Sequence, residues 1–164
     1  MAKVKVNYKQ LERLQRRISK FAQVDLDAFC EAMAKELAAR MLAKVIKRTP
    51  VGEYTDGRVG GNLRRGWTAS SEREAELSAT FGGGTGASKF AQSLTVKKSG
   101  NNYEIEITNP VSYASYVEYG HRTRNLKGWV PGRFMMTISA DELEQQAPAI
   151  IERKLKAKLM EVFK

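Results

Sequence analysis

Apolar residues recur at helical spacing in three parts of the chain. A first amphipathic helix is predicted over residues 8–21, because its apolar positions lie three or four residues apart. These positions are Leu11, Leu14, Ile18 and Phe21. A second, longer helix is predicted from Asp25, a residue type that caps helices, to about Arg48. Its apolar arc is wide and rich in alanine, which indicates a central helix that packs on more than one side.

The third helical region is predicted from about Arg133 to the end of the chain, where apolar residues again follow a helical stripe. Ser139 and Glu142 match the capping-box pattern, so the helix is predicted to be capped again at that point. Pro148 is expected to kink the helix or to begin a second segment, because proline cannot donate a backbone hydrogen bond.

Alternation of apolar and polar residues predicts a small antiparallel sheet. Residues 94–96 and 103–107 alternate and are joined by the polar stretch 98–102, the pattern of a hairpin with one buried face. Glu104 and Glu106 are then expected on the solvated face, opposite Lys97 or Lys98. Weaker strands are predicted at Trp67 and over residues 77–81.

Together these elements predict an α+β fold, with two N-terminal helices, a small antiparallel β-sheet with a hairpin, and a C-terminal helical region packed on the sheet. A chain of 164 residues fits a single domain, 1–164. We expect a flexible arm rich in glycine and arginine at about 49–66, which becomes ordered on assembly. A polar glycine-rich insertion is expected at about 70–90.

The net charge is +10, from 28 basic and 18 acidic residues. A field of this sign attracts nucleic acid or an acidic partner protein, although the chain has no DNA-binding motif. One cysteine, Cys30, excludes an internal disulfide, and its place in the apolar arc of the second helix indicates an inert core residue. No segment is apolar enough to span a membrane, so no membrane partner is expected.

The sequence contains no recognisable catalytic or cofactor site. His121 is the only histidine, without companions at metal-ligand spacing and without a nucleophile motif. Neither glycine-rich phosphate-binding pattern is present. We therefore predict no enzymatic activity, no metal, no cofactor and no small-molecule substrate. Glu118, the one acid between Tyr113 and Met136, is predicted to form an ion pair with Arg122 at i+4 or with a basic residue of a neighbouring subunit.

Residues 113–136 concentrate aromatic and basic side chains in an irregular segment. A helical turn at 113–117 is expected to end at Gly120, followed by a basic loop over 121–128. Such a segment is typical of a contact surface, since aromatic and Arg residues dominate contact energetics. For Tyr113 and Tyr116, a place in the core beneath the second helix is favoured. The predicted subunit or partner contacts are Arg58, Arg64, Arg65, Trp67, Tyr119, His121, Arg122, Arg124, Trp129, Arg133 and Phe134.

Two blocks of the sequence are similar to a family of tailed-bacteriophage proteins. One comprises Thr49-Pro50-Val51-Gly52 and the run GNLRRGW at 61–67; the other comprises Asn109-Pro110, YVEYGHR at 116–122 and WVPGRFM at 129–135. They resemble the head–tail joining, or tail-completion, proteins of siphophages, contractile phages and prophage-derived tail particles. The likeness covers most of residues 25–160. The chain departs from it over residues 68–90, which are longer and richer in glycine than expected.

The resemblance implies a structural virion protein of the phage or prophage neck, made in the host cytoplasm, which joins or completes the tail as part of an oligomeric ring. Its implied partners are copies of itself and other neck and tail proteins. A ring around a DNA conduit would explain the basic charge through sequence-independent phosphate contacts. Two alternatives remain open: a tail-terminator ring protein, and a stand-alone basic nucleic-acid-binding protein that uses the first helix and residues 58–65.

Overall fold

A computed structural model of the chain describes residues 26–163, with side chains as far as residue 161, and residues 12, 13, 15, 16 and 19 upstream. Those five upstream residues are helical, in agreement with the helix predicted over residues 8–21. The rest of that predicted helix, and the cap predicted at Asp25, lie outside the described residues.

The fold is α+β, as predicted, with more helix than expected. Its strands form two antiparallel pairs, β1 with β2 and β3 with β4. The elements are α1 (Leu26–Arg48), α2 (Asn62–Gly66), α3 (Glu72–Phe81), α4 (Ala87–Ser93), β1 (Lys97–Ser99), β2 (Asn102–Glu104), α5 (Ala114–Tyr119), β3 (Gly120–Arg122), β4 (Trp129–Pro131) and α6 (Met135–Phe163).

Helix α1 lies at the centre of the fold and packs against both α4 and α6. Its residues Leu42 and Val45 are completely buried, which confirms that this helix packs on more than one side. The buried core joins α1 to α2, α3, α4 and the start of α6. Its members are Ala38, Leu42, Val45, Leu63, Trp67, Ala69, Ala75, Ala91, Val111 and Met135.

Helix α6 is continuous, and its main partner is α1 rather than the hairpin. Arg48 donates a hydrogen bond to Ser139 Oγ at 3.0 Å, and Ser139 Oγ donates to Met135 O at 2.7 Å within the helix. The new cap predicted at Ser139 is therefore wrong, because this hydroxyl is buried between the two helices. Pro148 lies inside α6, where no second segment begins.

The segment predicted as a weak strand over residues 77–81 belongs to helix α3. The Ser71 hydroxyl accepts a hydrogen bond from the Glu74 backbone N–H at 3.2 Å, and the Glu74 carboxylate accepts one from Ser70 N–H at 2.8 Å. This reciprocal pair satisfies donors that would otherwise be unpaired at the helix N-terminus. The alternation of apolar residues was misleading here, since α3 buries only Ala75.

The predicted hairpin is present as β1 and β2, with shorter strands than expected. Lys97 lies opposite Glu104, and its ammonium is 3.5 Å from the Glu106 carboxylate, in agreement with the predicted cross-strand charge pairing. The hairpin is fixed to the start of α1, because Tyr103 Oη donates to Asp27 Oδ1 at 2.5 Å. Lys98 also pairs with Asp27.

Glu142 of α6 joins two cations of α1. Lys44 Nζ lies 2.9 Å from its carboxylate, and Arg48 also pairs with it. The hydrogen bond from Lys44, assisted by the charge of Arg48, holds the pKa of the Glu142 carboxyl below its ordinary value of 4.5. A carboxylate with a lowered folded-state pKa stabilises the fold above its unfolded-state pKa, and that contribution is lost as the pH falls through the folded-state pKa.

We therefore predict that Glu142→Gln lowers the stability of the protein at pH 7, and that its difference from the wild type shrinks as the pH falls below 4.5. Urea denaturation at pH values between neutral and about pH 3 measures both effects. Glu152→Gln is the matched control, because Glu152 is exposed on the same helix and forms no ion pair with a described residue. A difference from the wild type that stays constant across this pH range would contradict the account.

Candidate subunit interface

The chain leaves α5 through a two-stranded ribbon, residues 120–131, before it enters α6. Strands β3 and β4 pair with Gly120 opposite Pro131 and Arg122 opposite Trp129. The helical turn and its end at Gly120 are confirmed, since α5 ends at Tyr119 and Gly120 has a φ of 85°. The first two residues of the predicted basic loop belong to β3, so the loop itself covers residues 123–128.

Glu118 caps the N-terminus of α6 from the end of α5. Its carboxylate accepts hydrogen bonds from the backbone N–H groups of Met136 and Thr137, both at 2.9 Å, and from Thr137 Oγ1 at 2.8 Å. The Glu118 side chain is buried. A negative charge at this position satisfies unpaired backbone donors and interacts favourably with the helix dipole. The carboxylate thus joins α5 directly to the longest helix.

The predicted ion pair between Glu118 and Arg122 is wrong. An i+4 pair requires both residues on one helix, but Gly120 diverts the chain out of α5 and places Arg122 on β3. Arg122 is exposed, and Glu118 faces inwards. The acid is therefore used for helix capping rather than for a surface ion pair.

Backbone contacts close the base of the ribbon around Glu118. Arg133 N–H donates to Val117 O at 2.8 Å, and Phe134 N–H donates to Glu118 O at 3.0 Å. A Cβ atom on Gly132 would lie 2.2 Å from Glu118 O, and one on Gly120 would lie 2.5 Å from Val130 O. Both positions require glycine, because the two backbones approach too closely for a side chain.

The loop at the tip of the ribbon is held by its own hydrogen bonds. Thr123 and Gly128 exchange backbone and side-chain hydrogen bonds at 3.0 Å, and Asn125 Oδ1 accepts from Thr123 Oγ1 at 2.6 Å. Leu126 lies at the tip with a φ of 60° and is 71% exposed. The left-handed conformation costs such a residue about 1–2 kcal/mol, so an apolar side chain is presented to solvent at an energetic cost.

The aromatic side chains of α5 and the ribbon are exposed rather than packed in the core. Tyr119 is 64% exposed and Trp129 60% exposed, and Phe134, which has a φ of 49°, is also exposed. The core position favoured for Tyr113 and Tyr116 is wrong, because α5 has only six residues and buries only Glu118. We call Tyr113, Tyr116, Tyr119, Trp129 and Phe134 the aromatic surface.

The basic side chains of the ribbon are exposed as well. Arg122, Arg124, Lys127 and Arg133 form no ion pair with any residue that the structure describes, and residues 119–134 contain no acid. The ring of His121 lies beside that of Tyr116, with centroids 5.8 Å apart. Aromatic and unpaired basic groups therefore share one projecting element.

A comparison with protein families finds a match over residues 12–120, about two-thirds of the chain, to the family described as "Bacteriophage HK97-gp10, putative tail-component". The chain belongs to this HK97-gp10-like family. The match confirms the resemblance to phage proteins drawn from the sequence, and it ends at the base of the ribbon. No curated protein sequence and no solved structure gives a significant match.

Membership of the HK97-gp10-like family makes the protein a structural component of a phage tail, which places it in the virion among other tail proteins. No group of three or more His, Cys, Asp or Glu side chains within the described part of the chain is arranged to hold a metal ion. None of the helices described for this tail component has the length and apolar character needed to cross a membrane.

Several residues predicted as contacts of the tail component are engaged within the chain. Trp67 was expected at a contact surface but is buried, because its Nε1 donates to Thr49 Oγ1 at 2.7 Å. Arg64 donates to Thr49 O at 2.7 Å. Arg65 donates to Gly83 O at 2.5 Å. Arg58 pairs with Asp56 at 2.8 Å. Arg58 and Arg65 are nevertheless exposed, as are the candidates of the ribbon and its base.

Asn109, which sequence reasoning did not assign a role, fixes the segment before α5. Its Nδ2 donates to Leu63 O at 2.9 Å, and its Oδ1 accepts from Val111 N–H at 3.1 Å. A Cβ atom on Gly66 would lie 2.2 Å from this Oδ1. The two blocks that carry the family resemblance therefore meet here, and the Asn-Pro pair was the signal in the sequence.

We predict that Glu118→Ala destabilises the HK97-gp10-like protein by about 2 kcal/mol, because two backbone donors at the start of α6 lose their charged acceptor. Urea denaturation measures the change in the free energy of unfolding. The control is Glu152→Ala, which changes an exposed residue of α6 and should alter the free energy of unfolding by less than about 0.5 kcal/mol. Equal effects of the two substitutions would show that Glu118 does not cap α6.

Alanine substitutions of Gly132, at the base of the ribbon, and of Gly128, in its loop, should differ in their effect on stability. Gly132→Ala places a methyl group 2.2 Å from Glu118 O, and such overpacking costs about 1–3 kcal/mol. Gly128→Ala is the control, since its nearest neighbour lies at 3.4 Å, an ordinary contact. Thermal unfolding of the two variants measures the difference. Wild-type stability of the Gly132→Ala variant would mean that the base of the ribbon is open.

Proposed function

We propose that this tail component is a neck protein, which joins or completes the tail at the head–tail interface as one subunit of a homo-oligomeric ring. The observation that carries the proposal is the ribbon, whose backbone is fixed while its large apolar side chains face solvent. Leu126 and Trp129 of the ribbon, and Tyr119 directly before it, are each at least 60% exposed. Exposed apolar groups on a fixed element mark an interaction site.

The fixed backbone of the ribbon favours tight assembly. A contact that is already in its bound conformation loses less conformational entropy on association than a mobile arm does. Aromatic and arginine side chains supply most of the energy at protein interfaces, and the aromatic surface lies beside Arg122 and Arg133. When such a surface contacts a different surface on the next copy, the contact is head-to-tail. Contacts of this kind give a ring when the rotation that relates successive copies brings the last copy back to the first.

The unpaired basic groups support a further part of the proposal, that the ring contacts DNA in its lumen without reading sequence. Arg122, Arg124 and Lys127 have no acidic partner among the described residues, and the whole chain carries a charge of +10. Phosphate attraction of this kind is independent of base sequence and weakens as salt increases. An acidic lumen would contradict this part of the proposal.

A tail-terminator ring is the second candidate within the phage class, and the same ribbon would serve it. The stand-alone nucleic-acid-binding alternative has less support, because two of the arginines expected to form its basic face are engaged within the chain. Arg58 pairs with Asp56, and Arg64 donates to Thr49 O. The exposed basic groups of the ribbon still provide a surface through which nucleic-acid binding can be tested.

The proposed function predicts the particles produced by a source strain from which the gene has been deleted. Electron microscopy should show full heads beside separate tails of normal length. Tails of uncontrolled length would instead assign the protein to the terminator class. Intact, joined particles would contradict a neck function and would favour the nucleic-acid alternative.

Complementation of the deletion tests the ribbon itself. Trp129→Ala should fold normally but weaken subunit contacts by about 2 kcal/mol, about 30-fold in affinity, and so reduce infectious particles. The matched control is Leu77→Ala, which removes an apolar side chain that is 50% exposed on α3. Equal recovery of infectious particles by both variants would show that Trp129 does not take part in assembly.

A further inference from the structure

An apolar groove runs between α1, residues 101–107 and α6. Its two halves have volumes of about 420 and 480 Å³ and share Ala34, Leu37 and Tyr103, so they form one continuous depression. We call it the α1–α6 groove. The apolar side chains that determine its character include Phe29, Leu37, Met41, Ile105, Leu143 and Ile151.

The charged residues on the groove are acidic. Glu144 lines one half and Glu104 the other, and no lysine or arginine lines either half. Neither carboxylate forms an ion pair with a residue that the structure describes. The groove therefore fits an apolar group that is flanked by positive charges.

The tip of the ribbon, which comprises the loop 123–128 and the adjoining Trp129 of β4, has these properties. Leu126 and Trp129 are its exposed apolar groups, and Arg124 and Lys127 are the basic residues beside them. The tip does not occupy the groove of its own chain, since Leu126 and Trp129 remain exposed. The hydrogen bonds of the loop fix the backbone at Leu126, and the pairing of β3 with β4 fixes the backbone at Trp129, so docking would cost little backbone conformational entropy.

We propose that the ribbon tip of one copy docks in the α1–α6 groove of the next copy. Leu126 and Trp129 enter the groove, and Arg124 and Lys127 pair with Glu104 and Glu144. Because tip and groove are different surfaces, the contact is head-to-tail, and a docked pair is left with one free tip and one free groove for further copies. The inference rests on the proposed ring and specifies the interface that closes it.

Disulfide trapping between separate chains tests the docking directly. Cys30, which is half-buried and lines the groove, is first replaced by Ala in every chain. One chain then carries Leu126→Cys, and the other carries Ala34→Cys, at the junction of the two halves of the groove, or Ala140→Cys, in one of the halves. Lys89→Cys, exposed on α4 and outside the groove, is the control partner.

After mixing and oxidation, the Leu126→Cys chain should form a disulfide-linked dimer with a groove cysteine at least about 10-fold more than with the control, since a disulfide requires the two Cα atoms within about 7 Å. Equal yields would overturn the proposal. A second experiment places Leu14→Cys and Ala140→Cys in one chain. If this chain forms only an internal disulfide, the groove is occupied by the chain's own upstream segment, and the docking proposal is overturned as well.

A charge exchange tests the same contact without cysteines. Arg124→Glu and Glu144→Arg should each reduce ring formation about 10-fold, and the two together should restore it, because opposite charges again face each other across the interface. Light scattering measures the assembled mass. The same exchange is made for each pairing of Arg124 or Lys127 with Glu104 or Glu144. If no double variant assembles better than its two single variants, the proposed charge pairing is overturned.

The inference and the proposed function can fail separately. Rings that assemble and join heads to tails, but give neither the groove cross-link nor the charge rescue, would contradict the docking alone. Groove cross-links in a protein whose deletion leaves joined particles would support the docking and contradict the neck function.

Discussion

The buried carboxylate of Glu118 is the interaction on which the arrangement of this protein depends. It lies near the end of α5 and caps α6, since it accepts hydrogen bonds from the backbone N–H groups of Met136 and Thr137. Helix α6, once fixed at its start, is held against α1 through Ser139 and Glu142. The same carboxylate brings together the two ends of the ribbon, so capping of one helix also fixes a projecting element.

Much of the fold follows from local patterns in the sequence. Helix α1, the turn that ends at Gly120 and the hairpin of β1 and β2 were all predicted from apolar spacing and turn residues. The prediction failed where spacing is ambiguous: α3 buries only Ala75, so its few apolar residues also fit a strand. Its Ser71-x-x-Glu74 capping pattern was the better signal. The same pattern at Ser139 was misleading, because the hydroxyl and Glu142 are used by α1.

The candidate interface was predicted less completely than the fold. Aromatic and basic composition drew attention to residues 113–136, whose large aromatic side chains are exposed, and the family match confirms the class of protein. Composition alone cannot say which way a side chain faces. Trp67 is buried, and its indole N–H donates a hydrogen bond to Thr49 Oγ1. Tyr116 is exposed because α5 is short. The role of Glu118 depends on a contact between α5 and α6, which no local pattern encodes.

The central claim is that the ribbon is already fixed in the free protein, before any assembly. Amide hydrogen exchange of the isolated chain, resolved by residue, tests it most directly. We expect the amides of Phe134, Met136 and Thr137 to exchange almost as slowly as those of the α1 core, and we expect Thr123 in the loop to be protected as well. Exchange of these amides at the rate of an unstructured chain would contradict it, because the ribbon would then acquire its conformation only on assembly.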